Sequence, residues 1–414
     1  MKLKLVLIGN GMAGMKVVEE ILSASPDKYD ITVFGAEPYG NYNRIMLSPV
    51  LCGEKTVKDI MIHDRQWYAD NNITLHAGVE KSVVEINRTT KEVIAKDGTT
   101  ASYDRLLIAT GSNPFILPVE GNTLEGVVAF RDVFDVKKML SYSETKKYAV
   151  VLGGGLLGLE AANGLVQRGM HVTVVHNNEV LLNRQLDNTA GHLLQLELQK
   201  RGVHFNMPAR TEALVDDGNG HINAVKFADG SEIPCDLFVM AIGVRPNMAL
   251  AQSAGIHCER GIVVSDTLQT YDPSVYAVGE CIQHRDDTFG LVAPLFEQAK
   301  VCANHLCGHG VAEYKTLPSA TKLKVTGINL FSLGDFNGDD DCDIIRFSDP
   351  SASVYKKLVI KNNHIIGVVL YGETSDGAWY QSLLEQRTNI EEMRELLIFG
   401  QAYFQQELAE EVTE

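Results

Sequence analysis

At 414 residues the chain is too long for one ordinary core and points to about two or three domains. Its composition, 45% hydrophobic, 22% charged and 7% aromatic, is that of a globular protein. A formal net charge of −16 argues against nucleic acid as a partner and against an anionic membrane surface, because nothing in such a chain neutralises a row of phosphates.

The opening residues 3–8 read as a buried strand and not as a secretory signal, since the apolar run is short and leads straight into Gly9. The turn Gly9-Asn10-Gly11-Met12-Ala13-Gly14 follows, then a helix to about Ala24 and a strand over residues 31–34. Residues 73–97 alternate like meander strands, with an Asp97-Gly98 turn. Residues 105–108 form a buried strand ending in the small-residue turn Ala109-Thr110-Gly111-Ser112. A second unit repeats the opening plan: a strand over 148–152, the turn Gly153-Gly154-Gly155-Leu156-Leu157-Gly158, a helix to Arg168, and a strand over 171–175. Each unit is a strand, tight turn, helix and strand, the start of a βαβ fold. The segment 237–243 has the shape of 105–111, so the internal resemblance extends beyond the glycine turns. A short buried strand over 276–280 precedes a helix over about 294–307. From Thr321 the pattern turns β-rich, over 323–325, 353–360 and 365–370, and closes on a helical pair. The Gln- and Glu-rich end after Tyr403 suits a tail or a linker.

No apolar stretch approaches the length of a membrane span. Seven cysteines, scattered and odd in number, suit reduced thiols in a cytoplasm better than a disulfide framework. Cys302 and Cys307 share a helix without the geometry for a bond, and read as packing residues. The acidic stretch 337–343 lacks a calcium loop's closing glutamate and reads as a solvated turn. His305 and His309 are spaced like metal ligands, but Gly308 and Gly310 end the helix between them, and no metal site is expected.

A G-x-G-x-x-G turn bends a strand sharply into a helix while its backbone approaches a pyrophosphate, and the helix N-terminus supplies free N–H donors. Here Gly9, Gly11 and Gly14 follow a strand, and Glu37 stands where an acid accepts ribose hydroxyls. The second turn, Gly153, Gly155 and Gly158, ends differently: His176 replaces the acid and is followed by Asn177 and Asn178. No arginine meets a 2′-phosphate there, which favours NADH and leaves NADPH open.

These motifs, with Ala109-Thr110-Gly111-Ser112, Ala241-Ile242-Gly243-Val244-Arg245-Pro246-Asn247 and Val278-Gly279-Glu280, resemble the two-dinucleotide-binding-domain flavoproteins. Asn43-Arg44-Ile45-Met46-Leu47-Ser48, Arg184-Gln185-Leu186-Asp187, the run from Pro294 to Lys300 and the run from Gly367 to Asp376 resemble a branch of that family. It comprises the FAD/NAD(P)H part of assimilatory nitrite reductase and the electron-transfer subunit of assimilatory nitrate reductase. The resemblance implies an α/β fold of two Rossmann-like dinucleotide-binding domains, one for FAD and one for NAD(P)H, plus a smaller C-terminal α+β domain. Residues 1–115 and 245–320 would form the FAD domain, 116–244 the NAD(P)H domain, and 321–414 an interface domain for a partner or a homodimer. It further implies that Gly9, Gly11, Gly14, Glu37, Arg44, Ala109, Thr110, Gly111, Gly279, Glu280 and Gln298 hold FAD. Gly153, Gly155, Gly158, His176 and Gly243 would hold NAD(P)H, and Glu160 would position the nicotinamide. Glu280 departs from the family's usual aspartate. The early loop, 38–44, also lacks the redox cysteine of the thiol-dependent relatives, and Cys52 comes too late to replace it. Hydride would pass from nicotinamide to flavin, and electrons onward to a partner redox protein carrying an iron–sulfur, sirohaem or molybdenum centre. A rubredoxin or ferredoxin reductase is the nearest alternative, and a flavoprotein whose redox state regulates a binding partner is a more distant one.

Overall fold

The computed structural model describes residues 2–316, 320–325 and 327–403. They fall into two compact units, one formed by Met1–Phe115, Arg131–Val136 and Gly243–Leu317, the other by Ile116–Phe130, Lys137–Ile242 and Pro318–Glu414. Residues 404–414, read above as a tail or linker, lie outside the described residues.

The first unit is built on a five-stranded parallel sheet in the order Val275–Ala277, Arg105–Ile108, Leu3–Ile8, Tyr29–Gly35, Thr74–Ala77. The inner strands are continuous apolar runs because elements cover both faces; Leu5, Leu7, Leu106, Leu107 and Ile108 are fully buried. The helix Met12–Ala24 lays Gly14, Val17, Val18 and Ile21 on one stripe toward this core. Each of the larger side chains stabilises it by roughly 1.5–3 kcal/mol. The helix Val292–Leu306 packs beside it, and its C-terminal carbonyls are taken by the first unit's own side chains. Tyr29 Oη donates to Leu306 O at 2.7 Å and Lys28 Nζ to Cys307 O at 2.5 Å.

The second unit repeats the plan with the parallel order Val127–Ala129, Leu237–Met240, Tyr148–Leu152, His171–Val175, Val203–Asn206. The helices Leu156–Gln167 and Asn188–Lys200 belong to it. Its C-terminal part is a five-stranded antiparallel sheet, Thr321–Val325, Ile328–Gly334, His364–Tyr371, Val354–Lys361, Asp343–Asp349, backed by the helix Gly377–Glu385. Mixed α/β layers with parallel sheets are thus the fold, as the βαβ units imply.

The structure corrects two local expectations. Residues 73–97 are not one meander: Thr74–Ala77 joins the parallel sheet beside Tyr29–Gly35, and the antiparallel part is Val83–Asn87, Glu92–Ala95 and Thr100–Ser102. Alternation reports a half-covered strand, which an edge strand is, and carries no information on the partner's direction. The C-terminal sheet also holds Ile328–Gly334 and Asp343–Asp349; the latter is a polar edge strand without an apolar run to announce it. Of the expected closing helical pair, the described residues hold the helix Gly377–Glu385, the 3-10 turn Leu397–Phe399 and a helical stretch at 401–403. No described helix is long and apolar enough to cross a membrane.

Candidate dinucleotide sites

The two glycine turns have the same internal logic. In each, the outer glycines answer to the protein's own packing. A Cβ on Gly9, whose φ is +109°, would meet Ala109 O, and one on Gly158 would meet Gly153 O. The middle glycine answers to nothing in the chain. Gly11 has φ −87° and ψ 178°, Gly155 φ −85° and ψ 177°, ordinary extended values, and a Cβ on either would find no atom within 4 Å. Open space beside a residue that any side chain could occupy is what close backbone approach to a pyrophosphate requires. Both following helices begin without a side-chain cap, whereas Arg65–Asp70 and Asn188–Lys200 are capped by Asp64 and Asp187. The first N–H groups of Met12–Ala24 and Leu156–Gln167 therefore remain available to an anion.

Around the first turn, three strand ends of one sheet converge. Asn10 is tied down on both sides: its Oδ1 accepts from Tyr68 Oη at 2.6 Å and its carbonyl from Asn41 Nδ2 at 3.0 Å. Ala109, Thr110 and Gly111 lie opposite. Thr110 Oγ1 donates to Asn247 O at 2.6 Å, and Asn247 N–H returns to Gly111 O at 2.9 Å. Gly279 brings the third strand end against the helix, 3.1 Å from its would-be Cβ to Ala13 Cβ. A cleft of about 510 Å³ opens here, lined by Ile8, Gly9, Phe34, Ala36, Val83 and Thr110 among others. Such a volume suits an adenosine.

Two carboxylate–arginine pairs, Glu37 with Arg44 and Arg131 with Glu280, line the same edge. Glu37 accepts from Tyr42 Oη at 2.8 and 3.0 Å and from Arg44 Nη2 at 3.0 Å. Burial pushes its carboxyl above the ordinary value, against the pull of Arg44 and Tyr42. Arg44 Nη1 donates to Arg131 O at 3.1 Å. Arg131 in turn forms an ion pair with Glu280, both side chains 14% exposed, and Glu280 also accepts from Ser112 Oγ at 2.6 Å. Gln298 is fully buried; its Oε1 accepts from Gly279 N–H at 2.8 Å, and its side chain also lies against the Tyr314 hydroxyl.

In the second unit the predicted residues also gather. The His176 ring lies on Gly154, where a Cβ would come within 2.7 Å of its Cδ2. Desolvation lowers its pKa, and its Nε2 is buried without a partner. Glu160 is half-buried on the helix Leu156–Gln167. Gly243, with φ +115°, groups instead with the first unit, where its carbonyl accepts from Phe115 N–H at 2.9 Å.

Sequence reasoning missed Arg131, Ser112 as a partner of Glu280, and Tyr42 as a partner of Glu37. Arg131 belongs to a six-residue segment, Arg131–Val136, that joins the first unit while its flanks join the second. No local pattern announces such a segment. Ser112 and Tyr42 sit inside motifs already singled out, so only their roles were hidden. Cys235, Cys281, Cys302 and Cys307 are buried, and none of the seven cysteines is in a disulfide. Burial pushes the Cys281 thiol up to about 11 and raises that of Cys302 as well, which suits packing and opposes redox attack. His305 Nε2 is bonded to Ala312 O at 2.9 Å, just where its helix ends.

Comparison with known proteins places this geometry. The family model for pyridine nucleotide-disulphide oxidoreductases matches residues 3–305, and that for the C-terminal domain of rubredoxin NAD+ reductase matches residues 318–388. The chain belongs to the pyridine nucleotide-disulphide oxidoreductase family. It is 47% identical over 397 residues to the NAD(P)H nitrite reductase of Bacillus subtilis strain 168, covering 96% of this chain and 49% of that one. It is 43% identical over 387 residues to the assimilatory nitrate reductase electron transfer subunit of the same organism, covering 93% and 50%. The reductase in a covalent putidaredoxin reductase–putidaredoxin complex superposes with a TM-score of 0.82 at 25% identity, covering 92% of this chain and 93% of that one. The chain spans about half the length of these two curated relatives.

Proposed function

We propose that this chain is the FAD- and NAD(P)H-binding electron-transfer part of a nitrite- or nitrate-reducing system in the cytoplasm. It takes electrons from NADH, with NADPH as the second donor, and delivers them to a partner redox protein with an iron–sulfur, sirohaem or molybdenum centre. The observation that carries this reading is the pair of middle glycines, Gly11 and Gly155, which no packing demand of the chain explains. Their space and the uncapped helices behind them suit two pyrophosphates. Identity to a nitrite reductase and to a nitrate reductase electron transfer subunit supports the acceptor class.

In this reading residues 1–115 and 245–320 bind FAD, 116–244 bind the nicotinamide dinucleotide, and 321–414 face a partner. Gly9, Gly11, Gly14, Ala109, Thr110 and Gly111 surround the FAD pyrophosphate with backbone. Glu37 takes the ribose hydroxyls, and Arg44 neutralises charge beside it. Gly279, Glu280 and Gln298 meet the ribityl and ring end. Gly153, Gly155, Gly158 and His176 hold the dinucleotide, and Glu160 orients its nicotinamide. Bound FAD supplies a two-electron acceptor that can release electrons one at a time, so the chain's own residues need bind and orient but not act as acid or base.

An anaerobic titration with NADH, repeated with NADPH, tests the reading. Bleaching of the flavin by one equivalent of hydride per FAD supports it; no flavin, or no bleaching by either nucleotide, sinks it. The match of residues 318–388 to a rubredoxin reductase domain favours rubredoxin as the alternative acceptor. NADH-driven reduction of rubredoxin at a rate exceeding that of a sirohaem or molybdenum partner would select it.

A further inference from the structure

The loop after His176 is fastened from a different sheet. Residues 177–186 turn back onto the second glycine turn. Leu182 N–H donates to Gly154 O at 2.9 Å, Leu181 and Leu182 are buried, and a Cβ on Gly154 would lie 2.9 Å from Leu181 Cδ2. The loop ends at Asp187, whose Oδ1 caps the helix Asn188–Lys200 by accepting from Ala190 N–H at 3.0 Å. Its second oxygen is held by the C-terminal sheet. Tyr355 Oη donates to Asp187 Oδ2 at 2.7 Å, and Lys357 Nζ stands 3.6 Å away. Tyr355 and Lys357 are two apart in the strand Val354–Lys361 and so share one face. Asp187 is 11% exposed and Lys357 6%. A helix cap needs only one carboxylate oxygen and works in water. The second oxygen, buried beneath a hydroxyl and an ammonium from another sheet, does something else.

We propose that the C-terminal domain braces the nucleotide loop. Tyr355 and Lys357 are positioning residues that act through Asp187 on residues 177–186 and, through Leu182, on the turn at Gly154. Dinucleotide affinity then depends on a strand that belongs to neither βαβ unit. This rests on the reading of the Gly153 to Gly158 turn as a nicotinamide-dinucleotide site.

The test uses the full-length, flavin-loaded protein and ADP-ribose, the non-reacting part of NADH. Tyr355→Phe removes one hydrogen bond to a carboxylate and should weaken ADP-ribose binding about tenfold by calorimetry. KM for NADH should rise in step, while kcat with ferricyanide stays within about twofold. Hydrogen exchange of the peptide containing Leu182 should quicken in the ligand-free variant. Lys361→Met, in the same strand but paired with Asp339, should change none of these. If Tyr355→Phe fails to fold, Lys357→Met, which leaves the hydroxyl bond in place, carries the same comparison. Unchanged ADP-ribose affinity and unchanged exchange in a folded variant overturn the brace. Absence of ADP-ribose binding by the unaltered protein overturns the nucleotide reading instead.

Discussion

Gly11 and Gly158 occupy similar motifs and predict opposite phenotypes. An alanine at Gly11 or Gly155 meets no atom within 4 Å, so its effect on folding is confined to the helix N-terminus, about 1 kcal/mol. The same substitutions push a methyl group into the space argued to receive a pyrophosphate. FAD affinity in Gly11→Ala, and NADH affinity in Gly155→Ala, should fall at least about tenfold, or about 1.4 kcal/mol. Gly158→Ala drives Cβ onto Gly153 O and should destabilise the apoprotein by roughly 1–3 kcal/mol or more. Urea unfolding of the apoproteins beside flavin and nucleotide titrations separates the cases, and undiminished FAD affinity in Gly11→Ala would be fatal to the cofactor assignment. Glu280 carries a second residue-scale expectation. Glu280→Gln leaves the Arg131 guanidinium, 14% exposed, without its counter-charge and should cost roughly 3 kcal/mol in denaturant unfolding. The double variant with Arg131→Met should recover part of that loss; a neutral single variant would show that the pair holds nothing.

At the scale of elements, polar anchors tie the C-terminal sheet together. Lys356 Nζ, nearly buried, reaches Glu373 at 2.8 Å and Asp376 at 3.2 Å, and Glu373 also accepts from Ser375 N–H at 2.7 Å. Burial alone would raise the Glu373 carboxyl, but the bonds from Lys356 and Ser375 outweigh it and bring it down to about 2. A depressed carboxylate stabilises the fold fully above its ordinary range and loses that contribution as pH falls toward 2. Because Glu373 is 39% exposed, about 1–2 kcal/mol is expected after solvent screening. Melting curves between pH 5 and pH 2.5 should therefore fall less steeply for Glu373→Gln than for the unaltered protein; parallel curves would deny the contribution. The same scale shows where pattern reading stops. Tyr148–Leu152 and His171–Val175 match their expected limits to the residue, because apolar runs bounded by glycine turns leave no freedom. Thr74–Ala77 and Asp343–Asp349 did not, because an edge strand's partner and direction lie elsewhere in the chain.

For the whole molecule, the burial of thiols makes a global prediction. Only Cys52, Cys258 and Cys342 are partly accessible, so native labelling with a maleimide should modify at most three of the seven cysteines. Labelling of Cys302 or Cys281 without unfolding would contradict their burial. Uptake of a second reducing equivalent per flavin would reveal a thiol centre that this arrangement does not provide.

Two βαβ units, their glycine turns, the buried strands and the family were legible in the sequence, since all depend on local spacing: period, turn chemistry and a glycine where a backbone must come close. Glu37 could be named for the same reason, whereas Gln298 was named only through the family resemblance. What only the tertiary structure decided was partnership. Arg131 meets Glu280, Asn247 meets Thr110, and Tyr355 meets Asp187 across separations of 149, 137 and 168 residues. Hydrogen bonds and ion pairs depend on distance in space, and no periodicity along a chain encodes which remote polar group will arrive at a given carboxylate.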